Sequence, residues 1–298
     1  MSGAAGWWRN WGRDPGRLWN SGGRSSLNSE DRTLRNQTPT VVPVRGGFRM
    51  YYASTLSHDL FAGGIRSAFS KNGVTWQEEE GYRLSSSETN RVLCPSTVAL
   101  PDGRLRMFYE VQRKGQGSFI AAAISRDGLE WAPERMHCLE ADKAALGSPC
   151  IVPLQRGYRL YYHHYEAGPP ENGLRNIRSA FSLGGLEFIS EPGIRVVQEA
   201  ADEAYAVYAP EVIHAGNAWR MYYAAWPSEG SGLIKTAVSM DGLAWEKQGV
   251  VLAPDDGDGV KVVSEPSLLA LPDGRMLMHY EACDVSGNWS IRSVASRS

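Results

Sequence analysis

The sequence predicts an all-β chain: a five-bladed β-propeller with four antiparallel strands per blade, its ring closed by the N-terminal segment. Three observations carry this. First, an aromatic run recurs five times, as Arg49-Met50-Tyr51-Tyr52, Arg106-Met107-Phe108-Tyr109, Arg159-Leu160-Tyr161-Tyr162, Arg220-Met221-Tyr222-Tyr223 and Met278-His279-Tyr280. The spacing, roughly 55 residues, is a little above that of a kelch-type blade. Second, four copies run on to a turn that opens with Ser and closes with an aromatic, as in Ser125-Arg126-Asp127-Gly128-Leu129-Glu130-Trp131 and Ser239-Met240-Asp241-Gly242-Leu243-Ala244-Trp245. Third, no segment sustains a 3.6-residue apolar period, which disfavours the helical solenoids that also repeat at this length.

Within a copy, the elements follow in order. An apolar run after a Pro supplies the first strand: Pro39, Pro95, Pro149, Pro210 and Pro266 each open one. A turn such as Pro101-Asp102-Gly103 or Pro272-Asp273-Gly274 follows, with Pro suited to position i+1 and Gly to positive φ. The aromatic run is rich in β-forming Tyr and Phe and makes the second strand. A third run, such as Ile120-Ala121-Ala122-Ala123-Ile124, precedes the Asp-Gly or Asn-Gly hairpin step, and a short strand after it completes the copy. The blades are expected at about 38–81, 82–138, 139–195, 196–252 and 253–298 of one domain spanning 1–298. Residues 1–37 form the closing segment. Asp14-Pro15-Gly16 and Trp19 look like the turn and outer strand missing from the fifth copy, so residues 12–20 are expected to complete it. Closure of this kind removes an exposed sheet edge.

Composition narrows the function. A net charge of -2 gives no electrostatic footprint for nucleic acid or an anionic membrane. No apolar run approaches the ~20 residues of a membrane span. The N-terminus lacks the apolar core of a secretory signal, and the four cysteines form no Cys-x-x-Cys pair. A cytoplasmic, reduced protein is expected, with a small molecule as its partner and no metal or cofactor. The adjacent His163 and His164 point to opposite faces of a strand and do not converge on one ion. The acidic loop at residues 255–259 lacks the spaced ligands of a calcium loop, and the long loop at 168–173 is read as a rim.

In a propeller the first strand of each blade lines the central channel. Residues flanking the five prolines should therefore converge on the axis. Two carboxylates stand out there, Glu211 and Glu265, on adjacent blades. Side-by-side carboxylates in a narrow space are costly to ionise, so one pKa rises, as an acid–base pair requires. Glu110, His163 and Glu281 share the position after the aromatic run and form a second group. Arg91 precedes an inner strand, where a cation holds a carboxylate or sugar hydroxyl. Tyr205 and Tyr208 lie in the most distinctive polar approach to a blade, residues 202–211.

These residues and the repeat resemble the propeller glycoside hydrolases: the arabinanases and β-xylosidases, with the invertases and levansucrases. Tyr208-Ala209-Pro210-Glu211 is similar to the Trp-Ala-Pro-Asp step of the arabinanase group, and Ser264-Glu265-Pro266 to an axial acid step. In that family an Asp-Pro on the first blade supplies base or nucleophile; here Thr38-Pro39 stands in its place. The resemblance implies a glycosidase-like hydrolase of a small sugar or glycoside, with Glu265 as acid and Glu211 as base. Arg91, Glu110, His163, Tyr205, Tyr208 and Glu281 would contact substrate. The absent first-blade Asp motivates an alternative, a repurposed propeller catalysing acid–base cyclisation, elimination or isomerisation of a metabolite. A non-catalytic carbohydrate-binding propeller is the third reading.

Overall fold

A computed structural model describes residues 34–166, 175–254, 259–271 and 273–296, together with the backbone of 24–27. They form five four-stranded antiparallel sheets. Strand β1 (Arg24–Leu27) belongs to the last of these. Blade 1 holds β2 (Leu34–Val44), β3 (Gly47–Leu56), β4 (Gly63–Ser70) and β5 (Gln77–Ser85). Blade 2 holds β6 (Asn90–Ala99), β7 (Leu105–Arg113), β8 (Gly117–Ser125) and β9 (Trp131–Leu139). Blade 3 holds β10 (Ala144–Pro153), β11 (Tyr158–Glu166), β12 (Arg175–Ser182) and the short β13 (Ile189–Ser190). Blade 4 holds β14 (Ala206–Ala215), β15 (Ala218–Trp226), β16 (Leu233–Ser239) and β17 (Glu246–Leu252). Blade 5 holds β18 (Val260–Ala270), β19 (Met276–Asp284) and β20 (Trp289–Ala295), with β1 paired antiparallel to β20 as its outer strand. The N-terminal segment thus closes the ring, at Arg24–Leu27. The expected closing residues 12–20 lie outside the described residues, as do the 168–173 loop and residues 255–258. The described residues contain no α-helix and no helix long and apolar enough to cross a membrane.

The aromatic runs hold the blades together. Neighbouring residues on a strand face opposite sides of the sheet, so a Tyr-Tyr pair feeds both flanking interfaces. Tyr51 packs with Met107 and Tyr109 of blade 2, while Tyr52 packs with Leu269 and Leu277 of blade 5. Both are fully buried.

The Ser-x-Asp-Gly turn is the second fastener. In blade 2, Ser125 Oγ accepts the Gly128 N–H, and Asp127 Oδ1 accepts those of Leu129 and Glu130. Blade 1 grips this turn: Tyr51 Oη donates to Gly128 O at 2.9 Å, and Arg49 Nη1 donates to Asp127 O at 2.8 Å. The rest of the Arg49 guanidinium is paired with both oxygens of Glu79. Blade 3 grips blade 4 the same way, through Arg159 and Tyr161 on Asp241 and Gly242. The turn aromatics pack edge-on against the blade before: Trp131 on Tyr51, Phe188 on Phe108, Trp245 on Tyr161, and Trp76 on His279 across the closure. The repeated sequence motif is therefore an interblade clasp at the rim, away from the axis.

Candidate active site

Each inner strand carries the same irregularity at its Pro. In blade 1, Gln37 pairs with Ala53 and Thr40 with Tyr51, so Thr38 and Pro39 together oppose one residue, Tyr52. The same two-against-one bulge recurs at Cys94-Pro95, Ser148-Pro149, Ala209-Pro210 and Glu265-Pro266. Pro lacks the N–H that a ladder needs, so it is confined to edge strands and bulges; each inner strand is an edge of its sheet and carries its Pro in a bulge. The residue before each Pro adopts a left-handed conformation, with φ of 51° at Thr38, 48° at Cys94, 42° at Ser148, 51° at Ala209 and 50° at Glu265. That conformation costs energy for a residue with a Cβ, and such strain gathers at functional sites.

The bulge separates two layers that the sequence analysis joined. Residues after the Pro, namely Thr40, Ser96 and Glu211, line a constriction with only about 20 Å³ of free space. In four blades the residue after the Pro accepts a backbone N–H from the next inner strand. Ser96 takes that of Ile151, Cys150 that of Val212, Glu211 that of Leu268 at 2.9 Å, and Ser267 that of Val41. Glu211 is thus one of a ring of interblade staples. Its other oxygen faces the Cys150 thiol at 3.7 Å. Burial pushes its pKa up to about 7, against the pull of those two donors.

Above the constriction lies a cavity of about 390 Å³ at the mouth of the channel. Thr38, Cys94, Ser148 and Glu265, each before its Pro, lie at the boundary and line both cavity and constriction, whereas Thr40, Ser96 and Glu211, after theirs, line only the constriction. The expected pairing of Glu211 with Glu265 across a substrate is therefore not the arrangement in the cavity. The carboxylates that share the cavity with Glu265 are Glu110 and Glu281, on β7 and β19, which pair with Leu93 and Ser264, the residues just before each bulge. His163 is also there, as are Arg91, Tyr205 and Tyr208.

The three carboxylates are held differently. Glu281 Oε2 accepts the Thr38 N–H at 3.1 Å and Gln37 Nε2 at 3.4 Å, while Oε1 accepts Ser264 Oγ at 2.6 Å. Glu110 Oε2 accepts the Ser148 N–H at 3.2 Å. Among the described residues Glu265 receives no backbone N–H: its contacts are Ser148 Oγ at 2.9 Å and the Cys94 thiol at 3.9 Å. Burial raises all three pKa values. For Glu110 and Glu281, hydrogen bonds and the Arg91 charge work against the rise. For Glu265 the Glu281 and Glu110 charges add to it and push the group well above the carboxylate range. Of the three, Glu265 thus holds its proton most strongly.

Ser148 links Glu265 to His163, whose Nδ1 lies 3.3 Å from Ser148 Oγ. Burial lowers the His163 pKa to about 3, so the imidazole is neutral. Gly147 makes this cluster fit: a Cβ there would stand 1.8 Å from Glu110 Oε2 and 2.6 Å from His163 Cε1. Aromatic walls complete the cavity. Tyr205 stacks on Trp226 at 5.9 Å, Tyr208 meets the same indole edge-on, and Tyr165 stacks on His163 at 4.4 Å. Burial raises the Tyr165 and Tyr208 pKa values well above 10, so both are neutral hydroxyls.

Several cavity residues escaped the sequence analysis: Arg35, Gln37, Tyr165, Arg175, Trp226 and Trp289. One left a signal. Arg35 precedes the bulge residue Thr38 by the interval that separates Arg91 from Cys94, so aligning the copies on the bulge would have found it.

No family model matches the sequence, and no curated protein matches it. Solved structures do match its fold. A thermostable family-43 glycoside hydrolase is 19% identical, with a TM-score of 0.74 and 88% of each chain covered. An N-acetylgalactosamine deacetylase from F. plautii, solved with blood group B trisaccharide, is 17% identical, with a TM-score of 0.74, 94% of this chain and 95% of its own covered. An α-L-arabinofuranosidase from Lactobacillus brevis is 12% identical, with a TM-score of 0.68 and 89% and 92% covered. The chain shares the five-bladed architecture of these proteins.

Proposed function

We propose that this protein is a glycosidase-like hydrolase acting on a small sugar or glycoside at the mouth of the central channel. The observation that supports it is the cavity itself: two buried carboxyl groups, Glu110 and Glu281, and the half-buried Glu265, of unequal basicity, under a wall of Tyr and Trp. Glycoside cleavage needs one carboxyl group that donates a proton to the leaving oxygen and one that acts as base or nucleophile. Glu265 carries the proton. Glu281, whose charge bears most strongly on Glu265, is the ionised partner. Glu110 supports the charge balance from the other side. After Glu265 gives up its proton, the Ser148 hydroxyl hydrogen-bonds the new carboxylate, with His163 behind it. Tyr205, Tyr208 and Trp226 offer faces to a sugar ring. Glu211 is assigned to the staple beneath.

The fold likeness to glycoside hydrolases agrees with this reading. A panel of aryl glycosides tests it. Turnover that Glu265→Gln lowers by ~10²–10⁴-fold, the usual worth of general acid catalysis, supports it. Absence of turnover on every sugar by folded protein counts against it.

One observation favours a second reading. The first-blade bulge residue is Thr38, whose hydroxyl is engaged by the Cys94 N–H at 3.1 Å, where the resemblance expects a carboxylate. The remaining acid and base suit proton transfer on a metabolite without a glycosidic bond. Solvent-deuterium incorporation into a non-glycosidic ligand, lost in Glu265→Gln, would select it.

A further inference from the structure

The cavity holds three arginines as well as three carboxylates. Arg35 and Arg91 come from equivalent positions on the inner strands of blades 1 and 2, and Arg175 opens β12 on blade 3. Arginines inside a fold are ordinarily paired with carboxylates, as Arg49, Arg106 and Arg159 are at the rim. The three in the cavity are not. Among the described residues none forms an ion pair, and the one side-chain hydrogen bond among them is a long one, Arg91 Nη2 to Gln37 Oε1 at 3.4 Å. Arg91 is only 8% exposed, and its Nε and that of Arg35 are buried without a partner.

Their surroundings hold them for an incoming group. The Arg35 guanidinium lies 5.1 Å from the Trp289 ring, and that of Arg175 lies 4.5 Å from Tyr205 and 5.2 Å from Tyr165. Rings fix the position of a cation without consuming its N–H donors. Burial lowers the Arg35 pKa, and the nearby Arg91 charge lowers it further. An anion between the two would relieve that repulsion and fill the orphaned donors.

Charge balance points the same way. The titratable groups lining the cavity are these arginines, the three glutamates, His163, Cys94 and the tyrosines. Burial raises the pKa of all three glutamates and lowers that of His163. The carboxyl groups therefore offset the three guanidinium groups less fully than three exposed carboxylates would.

We infer that the ligand is an anionic sugar, bearing a carboxylate or sulfate ester, and that the pair Arg35 and Arg91 receives that group. This rests on the sugar-binding reading above and names its substrate class. Across the ring, Arg175 with Tyr165 and Tyr205 flanks the sugar on the side of blades 3 and 4.

Binding to the intact protein tests this without requiring turnover. Isothermal titration would compare glucuronate and galacturonate with glucose and galactose, their methyl esters, and the corresponding 6-sulfates. At least tenfold tighter binding of the uronates or 6-sulfates than of the neutral sugars is expected, weakening with salt, and whichever of the two prevails identifies the group. Arg91→Gln and Arg35→Lys should each reduce that preference at least fivefold, the loss of affinity falling more heavily on the anionic sugars than on the neutral ones. Circular dichroism would confirm folding; where Arg91→Gln does not fold, Arg35→Lys carries the comparison. Equal or weaker binding of every anionic sugar overturns the inference, even if neutral glycosides are hydrolysed. An anion preference without hydrolysis of any glycoside leaves it standing and removes the hydrolase reading instead.

Discussion

Replacing Glu211 by Gln separates the staple from the catalytic cavity. Burial raises the Glu211 pKa from the ordinary 4.5 to about 7. At pH 4 both folded and unfolded chains hold the proton, and the group carries no penalty. Between pH 4.5 and 7 the unfolded chain ionises first, so the fold loses stability as pH rises. Above pH 7 the loss levels off at about 3 kcal/mol, taking about 1.4 kcal/mol per pH unit of displacement. Gln keeps a carbonyl oxygen to accept the Leu268 N–H and has no charge to bury. Glu211→Gln should therefore be within about 1 kcal/mol of wild type at pH 4.5 and up to about 3 kcal/mol more stable at pH 8.5. Urea denaturation over that range reads the difference directly. It should also retain activity within a few-fold, since its side chain lines the constriction and not the cavity. A destabilised variant at pH 8.5, or one whose activity falls a hundredfold, would refute the reasoning and return Glu211 to the role of base.

Three other outcomes follow from the same geometry. Gly147→Ala should cut turnover at least tenfold, with a smaller effect on melting temperature, because its Cβ displaces Glu110 and His163; unchanged kinetics would show that their positions are unimportant. Gly128→Ala should destabilise by about 2 kcal/mol or more without changing KM, since Gly128 has a φ of 76° and an added Cβ would stand 2.5 Å from Arg49 Nη1; an unchanged melting temperature would mean the rim clasp is dispensable. The pH–rate profile should be bell-shaped, failing on the acid side as Glu281 takes a proton and on the alkaline side as Glu265 loses its own; a rate that climbs steadily with pH would exclude Glu265 as the acid.

The ring was legible in the sequence because each blade repeats a complete local code. Pro, an aromatic run and an Asp-Gly turn recur in phase, and each maps to a strand, an interface or a clasp. The site was less legible because it depends on the bulge. The spacing to the Pro gives which residues approach the axis. It does not say that Thr38 reaches the cavity while Thr40 stops at the constriction, because the left-handed turn at Thr38 carries no marker such as Gly. Glu211 and Glu265 look like neighbours when aligned on Pro210 and Pro266, yet one follows its Pro and the other precedes it. Arg175, Trp226 and Trp289 stand at strand ends that open at the mouth, where the repeat is least regular.

Leaving-group dependence addresses proton donation by Glu265 most directly. Wild type and Glu265→Gln would be compared on 2,4-dinitrophenyl glycosides, which leave without protonation, and on 4-methoxyphenyl glycosides, which need it. The variant should lose ~10²-fold or more on the second set and stay within about tenfold of wild type on the first. An equal loss on both sets, or no loss on either, would contradict the assignment of Glu265 as the acid that cleaves the bond.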